Sequence, residues 1–124
     1  MQNGLWVFIG GGLGSLLRYV ISVWMPSQNQ HFPWATFMVN ILGSCFIGYL
    51  MATLAQHSNQ SAAYRALPFL LVTGFCGGFT TFSTFSFENI RLLQNHQYLL
   101  SAVYILASLL LCLGATALGY FVGK

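Results

Sequence analysis

Residues 74–86 combine glycines, hydroxyl side chains and phenylalanines, and are the part of this sequence best suited to chemistry. The hydroxyl groups can hydrogen-bond an ion or a polar substrate. They belong to Thr80, Thr81, Ser83, Thr84 and Ser86. Phenylalanines recur every three residues and share one helical face. They are Phe79, Phe82 and Phe85. Gly77 and Gly78 predict a broken membrane helix, which lipid tolerates only beside protein or a water-filled cavity. The segment therefore predicts a conduction or substrate site, and the alternative is a small-residue face for helix packing.

Four polar residues outside this segment also lie in apolar stretches, where such side chains are costly. Asn40 carries an amide with two donor protons and one acceptor. Tyr104 and Ser108 are four residues apart and so share one face of a helix. Arg18 would form a positive vestibule that attracts an anion. The alternatives are interhelical hydrogen bonds for the three uncharged residues and snorkelling to the headgroups for the arginine.

Long apolar helices must position these residues. Of the 124 residues, 56% are hydrophobic and 4% are charged, whereas globular domains carry about 25% charged residues. The composition predicts an all-α integral membrane protein, with a single domain over residues 1–124. Four spans at about 4–25, 33–56, 66–94 and 98–122 would each cross a hydrocarbon core of roughly 30 Å. The third is expected to break near residues 77–80. The net charge of +3 predicts no nucleic-acid partner.

The basic residues give little preference for either orientation in the membrane. Both termini should lie on one side with Arg65 and Lys124, while Arg18 and Arg91 lie near the other side. Such a balance gives almost no positive-inside bias, so oppositely inserted copies could pair as an antiparallel homodimer. Small residues spaced four apart offer surfaces for close association. They are Gly10 with Gly14, Gly11 with Ser15, Ser44 with Gly48, and Ala115 with Gly119.

The sequence argues against other classes of membrane protein. A small proton-coupled multidrug exporter is a four-helix dimer of similar length, but it needs a carboxylate in its first helix. Here the only acid is Glu88, in the third predicted span. The sequence has no acid pair and no histidine deep beside a serine or cysteine, so no enzyme activity is predicted. A structural membrane subunit would explain the small residues but would leave the hydroxyl and phenylalanine segment without a role.

Residues 74–88 resemble the third-helix signature of the Fluc (CrcB-type) fluoride channels. Three further motifs extend the resemblance over the whole chain: Gly-Gly-x-Gly-Ser-x-x-Arg at 11–18, Thr-x-x-x-Asn at 36–40 and Thr-Ala-Leu-Gly at 116–119. The chain departs from the family pattern at Phe79, where leucine is common, and at Ala35, where glycine is expected.

The resemblance implies a dual-topology antiparallel homodimer in the bacterial inner membrane, with two pores that export cytoplasmic fluoride. It implies pore residues Asn40, Phe82, Ser83, Thr84, Phe85, Ser86, Tyr104 and Ser108, with Arg18 at the vestibule. It also implies a structural sodium ion, Na⁺, held at the dimer centre by the backbone carbonyls of Gly77 and Thr80. The physical chemistry agrees, because an anion meets the positive edge of an aromatic ring. A strongly hydrated ion also needs donors to replace its water.

Overall fold

A computed structural model describes residues 2–26, 31–56 and 62–124. Its helices in chain order are α1 (Gln2–Trp24), α2 (Trp34–Gln56), α3 (residues 62–79), α4 (Phe82–Gln94) and α5 (Tyr98–Val122). Within α3 the pieces are Ala62–Leu67, Pro68–Cys76 and Gly77–Phe79. Together α3 and α4 form the third span, Tyr64–Gln94, and its helix already begins at Ala62, before the predicted start at residue 66. The prediction of four helices long and apolar enough to cross a membrane is confirmed, and the described residues contain no strand.

Helices α1 and α3 pack with their backbones almost in contact. A Cβ atom on Gly10 would overlap the carbonyl oxygen of Leu70, and one on Gly14 would overlap that of Phe75. Ser15 Oγ adds a hydrogen bond to a carbonyl of α3 at 3.4 Å. Close approach of this kind increases van der Waals contact, which holds membrane helices together.

Helices α2 and α5 form the other tightly packed pair, again through glycine. A Cβ atom on Gly48 would overlap the carbonyl oxygen of Thr116, and one on Gly119 would overlap that of Cys45. The sequence suggested that such small-residue pairs associate between copies. In the structure these glycines pack within one copy, because each lies against the backbone of a neighbouring helix in the same chain.

The third span changes its helical geometry before it is interrupted. Pro68–Cys76 is a π-helix, a wide form that is uncommon and is often found at functional sites. The chain becomes extended at Thr80 (φ −80°, ψ 156°) and Thr81 (φ −150°, ψ 118°). The break therefore begins at the end of the predicted range, residues 77–80, but the paired glycines do not cause it. Gly77 and Gly78 are helical, whereas the two threonines, whose β-branched side chains suit extended backbone, are not.

Large apolar side chains cover the outside of the bundle, among them Phe8, Trp24, Leu99 and Phe121. In water such a surface would promote aggregation, whereas in lipid it is the surface that spanning helices present. The buried apolar cluster lies where α2, α4 and α5 meet. Its members are Phe37, Phe85, Leu92 and Tyr104. The cluster supports the half-helix α4 directly behind the break.

Candidate functional site

The amide of Asn40 on α2 holds the interruption between α3 and α4. Its Oδ1 accepts the backbone N–H of Thr81 at 2.8 Å, and its Nδ2 donates to the Thr81 carbonyl at 3.1 Å. In an uninterrupted α-helix the N–H of residue 81 would donate to the carbonyl of Gly77. Asn40 therefore replaces a helical hydrogen bond with one from another span. Extended backbone at this depth needs such a replacement, because lipid provides no partner.

Helix α4 begins with a side-chain cap. Thr81 Oγ1 accepts the backbone N–H of Thr84 at 3.2 Å and donates to Thr84 Oγ1 at 3.1 Å. Threonine is favoured at this position because its oxygen pairs an N–H that has no helical partner. Ser83 Oγ lies 3.3 Å from the Thr81 hydroxyl. Three hydroxyl groups therefore meet at the first turn of α4, where the helix dipole is positive.

A groove of about 600 Å³ opens beside the break, between α2, α3, α4 and α5. Its polar lining comes from Asn40, Ser44, Thr73, Thr80, Thr81 and Ser108, and the remainder is mostly apolar. The buried Ser108 Oγ has no hydrogen-bond partner among the described residues. A buried polar atom without a partner costs free energy, so this hydroxyl is available to a bound ion or water. An apolar groove with a few placed polar groups has the composition of a ligand site.

Phe82 and Phe85 both line the groove, but their side chains differ in solvent exposure. Phe82 is 76% exposed and stands at the open side, whereas Phe85 is 9% exposed and forms part of the wall. Their ring centroids are 5.6 Å apart and the ring planes are inclined by 35°. The Phe85 ring packs on Tyr104 at 4.9 Å. The predicted aromatic pair is therefore present, with one ring fixed and the other accessible.

A second cavity of about 220 Å³ lies between α1, α2 and α4, and Thr81 lines both cavities. Arg18 supplies positive charge to the second cavity. The hydroxyl-bearing residues that line this cavity are Ser15, Tyr19, Ser22, Thr36, Thr81 and Thr84. The structure thus brings Arg18 and Thr84, two predicted site residues from different spans, into one polar space next to the break.

Glu88, for which the sequence suggested no role, connects three spans. Its Oε1 accepts a hydrogen bond from Thr36 Oγ1 and its Oε2 accepts one from Tyr104 Oη, both at 2.8 Å. Tyr104 is 0% exposed and lines neither cavity. Its hydroxyl hydrogen-bonds the Glu88 carboxylate and does not face the groove. Thr36 was not predicted as a site residue. Its spacing of four from Asn40 was the available signal, because residues at i and i+4 share a helical face.

Ser83 and Ser86, predicted together with Thr84 as one hydroxyl track, line neither of the two cavities. Ser86 Oγ donates to the carbonyl of Phe82, one turn earlier, at 2.9 Å. Helical geometry explains the separation. Residues 83 and 86 share a face, whereas neighbouring residues such as 83 and 84 point to different sides.

The two residues predicted to bind a cation, Gly77 and Thr80, meet on the groove. Gly77 is exposed, and a Cβ atom there would have nothing within 4 Å. Thr80 donates twice to the Cys76 carbonyl, from Oγ1 at 2.8 Å and from N–H at 3.0 Å. Since Asn40 takes the Thr81 N–H, the Gly77 carbonyl lacks its helical donor. A carbonyl oxygen of this kind fits a hard cation, which prefers oxygen ligands.

Known proteins are similar to this sequence over its whole length. The family model described as CrcB-like protein, Camphor Resistance (CrcB), matches residues 5–120. A fluoride-specific ion channel FluC of Flavobacterium psychrophilum is 44% identical over 125 residues, covering 100% of this chain and 98% of the relative. Proteins of the same name from Agrobacterium fabrum and Gloeothece citriformis are 43% and 45% identical to this chain. Both alignments cover 100% of this chain and 98% of the relative. These names give no support to the multidrug exporter.

Proposed function

We propose that this chain, which belongs to the CrcB-like family, conducts fluoride through the groove beside the break in its third span. It is a multi-pass bacterial membrane protein and a fluoride channel rather than an enzyme, like relatives of 43% to 45% identity. The observation that carries the route is the Ser108 hydroxyl, which is buried on the groove without a partner. A small anion that loses its water needs donors, and neutral donors hold it weakly enough to release it.

Asn40 and Ser108 are the donors that we assign to the groove, with the ring edges of Phe82 and Phe85 beside them. One proton of Asn40 Nδ2 is used by the Thr81 carbonyl, and the amide carries a second. An aromatic ring is negative on its face and positive at its edge. An anion would therefore approach these rings edge-on while the two donors replace part of its hydration shell.

Arg18 is the vestibule residue in this proposal. Its cavity shares Thr81 with the groove, so an anion attracted by the guanidinium would reach the break at the hydroxyls of Thr81 and Thr84. A cation near a surface attracts counter-ions and raises their local concentration. The roles of Ser83, Ser86 and Tyr104 as pore residues stay predictions. To donate to an anion, the Ser86 hydroxyl would have to leave the Phe82 carbonyl and the Tyr104 hydroxyl would have to leave the Glu88 carboxylate.

We further propose that the working unit is an antiparallel dual-topology homodimer. The groove is open on the side where Phe82 is 76% exposed, so a single copy leaves the aromatic path incomplete. A second copy inserted in the opposite direction would cover it. The nearly equal basic charge at the two membrane surfaces, Arg65 and Lys124 against Arg18 and Arg91, supports insertion in both directions.

A structural sodium ion at the centre of this dimer is the cofactor that we propose. The carbonyls of Gly77 and Thr80 from each of two copies would hold it, four oxygen ligands in all. Two observations support this assignment. The Gly77 carbonyl lacks its α-helical donor, because the Thr81 N–H donates to Asn40, and a Cβ atom on Gly77 would meet nothing within 4 Å. When bound, the ion would neutralise carbonyl oxygens that lie in apolar surroundings, where an unpaired polar group is costly.

Fluoride efflux from liposomes that contain the purified protein tests the function. We expect fluoride release well above that of protein-free liposomes and of chloride. Ser108→Ala should lower the fluoride rate roughly fivefold, the effect of one hydrogen bond. Thr116→Ala is the matched control, since its hydroxyl bonds the Cys112 carbonyl of its own helix. No fluoride efflux from the wild-type protein, or equal chloride efflux, would contradict the function. An unaffected Ser108→Ala variant would contradict the route.

Charge placement tests the antiparallel dimer. Three lysines added within residues 57–61 should drive most copies into one orientation and remove activity. Co-expression with a variant that carries lysines within residues 27–30 should restore it. Full activity from one strongly biased variant alone would rule out an obligate antiparallel dimer.

Sodium replacement tests the cation. Exchange of sodium for a bulky organic cation should slow fluoride efflux or weaken dimerisation without any sodium current. Thr80→Ser should behave like the wild type because the ligand is a backbone atom, whereas Gly77→Val should be insensitive to sodium and poorly active. Gly12→Val is the control, since its Cβ would also meet nothing within 4 Å. Unchanged efflux and dimerisation after rigorous sodium removal would contradict the site.

A further inference from the structure

We propose that Asn89 and Ser101 are positioning residues that set the orientation of the Phe85 ring, an inference that rests on the proposed function. Asn89 Nδ2 donates to the carbonyl of Phe85 at 2.9 Å. Ser101 Oγ on α5 donates to Asn89 Oδ1, also at 2.9 Å. The chain of two hydrogen bonds thus runs from α5 to the backbone of the residue whose ring forms the groove wall.

Both residues are buried deeply enough for this pair to matter. Asn89 is 6% exposed and Ser101 is 2% exposed, so neither side chain has water as an alternative partner. Each oxygen of the pair takes part in a hydrogen bond, as buried polar groups require. Breaking one bond would leave a buried amide oxygen unpaired, whereas replacing both partners with apolar groups can be nearly neutral for stability. Stability and positioning can therefore be separated by experiment.

The need for a dedicated anchor follows from the break. Two extended residues, Thr80 and Thr81, separate α4 from α3, so the continuous helix does not set the rotation of α4. Asn40 holds the N-terminal end of α4 through Thr81. The Asn89–Ser101 pair holds the half-helix on the C-terminal side of Phe85. Both pore rings lie between these two amide anchors.

A small rotation of α4 would be enough to disturb the path. A side chain lies about 5 Å from the helix axis, so a rotation of about 20° displaces it by roughly 2 Å. Such a displacement would take the ring edge of Phe85 out of contact distance with an anion in the groove. Loss of the anchor should therefore change the rate of fluoride conduction and its preference over chloride.

The test compares four variants in liposome efflux, with the oligomeric state and thermal stability measured on the same samples. Ser101→Ala and the apolar pair Asn89→Leu/Ser101→Ala should each lower fluoride efflux roughly threefold to tenfold. The apolar pair should keep near wild-type stability. The exchanged pair Asn89→Ser/Ser101→Asn should recover efflux because the tie between the helices is kept. Thr116→Ala, a hydroxyl substitution elsewhere on α5, should leave efflux and stability unchanged.

A spectroscopic measurement reports ring position without any flux. With 4-fluorophenylalanine at position 85, the ¹⁹F resonance should move in Ser101→Ala and in the apolar pair, and should stay in place in the Thr116 control. The positioning role would be overturned if the Asn89→Leu/Ser101→Ala variant were stable, matched the wild type in fluoride efflux and in preference over chloride, and left the ¹⁹F resonance of position 85 unmoved. A wild-type protein that conducts no fluoride would instead contradict the proposed function, and the resonance would still decide whether the pair orients Phe85.

Discussion

Replacing the amide of Asn40 with a carboxylate tests the centre of the site with a change of one atom. In the wild type, Oδ1 accepts the Thr81 N–H and Nδ2 donates to the Thr81 carbonyl. Asn40→Asp keeps the first hydrogen bond, because a carboxylate oxygen is still an acceptor. It loses the second and turns an oxygen toward the Thr81 carbonyl oxygen. It also places a negative charge on the lining of the groove.

The charge should dominate the outcome. The lost hydrogen bond and the new contact between two oxygen atoms cost about 1–3 kcal/mol. A fluoride ion that passes about 4 Å from the new carboxylate is repelled by about 4 kcal/mol at an effective dielectric constant near 20. Each 1.4 kcal/mol corresponds to about a tenfold change in an equilibrium constant. We therefore expect Asn40→Asp to reduce fluoride efflux roughly a thousandfold, and the uncharged Asn40→Ser to reduce it much less.

Liposome efflux followed with a fluoride electrode measures both rates, and size-exclusion chromatography checks that the variants keep their oligomeric state. Asn3→Asp is the control for charge alone, since it adds the same charge at an exposed position near the start of α1. It should conduct like the wild type. If Asn40→Asp also conducts at the wild-type rate while correctly assembled, then no anion passes close to Asn40, and the amide serves only to hold Thr81.

Two further predictions concern the rings and the packing. Phe82→Ile should lower fluoride efflux about threefold to tenfold because a positive ring edge is lost, while Phe87→Ile, an exposed ring on the same helix but outside the groove, should not. Gly119→Ala should lower the free energy of unfolding by about 1 kcal/mol or more, because overpacking against the Cys45 carbonyl exceeds the helix-propensity gain. Thermal unfolding in detergent measures this, with Gly114→Ala as the control because its Cβ would meet nothing within 4 Å. A Gly119→Ala variant as stable as the wild type would show that α2 and α5 can move apart far enough to accept the added methyl group.

The sequence predicted the four spans well because long apolar segments admit few other structures. It also singled out Asn40, Ser108 and Phe82, which all line the groove, since polar residues in apolar segments and clustered rings can be recognised from the sequence. The position of the break was harder to predict. Local propensity points to the paired glycines, but a hydrogen bond from another span decides where the backbone leaves the helix. No local pattern contains that information.

Two other differences have separate physical causes. Thr84 lines a cavity and Ser83 does not, a difference that follows from helix periodicity, so the sequence did contain the signal. The bond between Tyr104 and Glu88 could not be predicted, because it depends on the register between α4 and α5. A tight turn sets that register, and its residue His96 has a φ of 59°, a conformation that few residues other than glycine adopt.

One amide connects the two ion sites of the proposed channel, and this connection has a measurable consequence. Asn40 lines the groove, and by accepting the Thr81 N–H it also leaves the Gly77 carbonyl free for a cation. The shorter side chain of Asn40→Ser would release that N–H, which could then return to Gly77 as in a continuous helix. The variant should therefore show a lower fluoride efflux that no longer depends on sodium, whereas Ser108→Ala should lower efflux and keep its sodium dependence. Efflux measured at several sodium concentrations distinguishes these outcomes. A residual fluoride rate in Asn40→Ser that depends on sodium as strongly as the wild type would show that the two sites are independent.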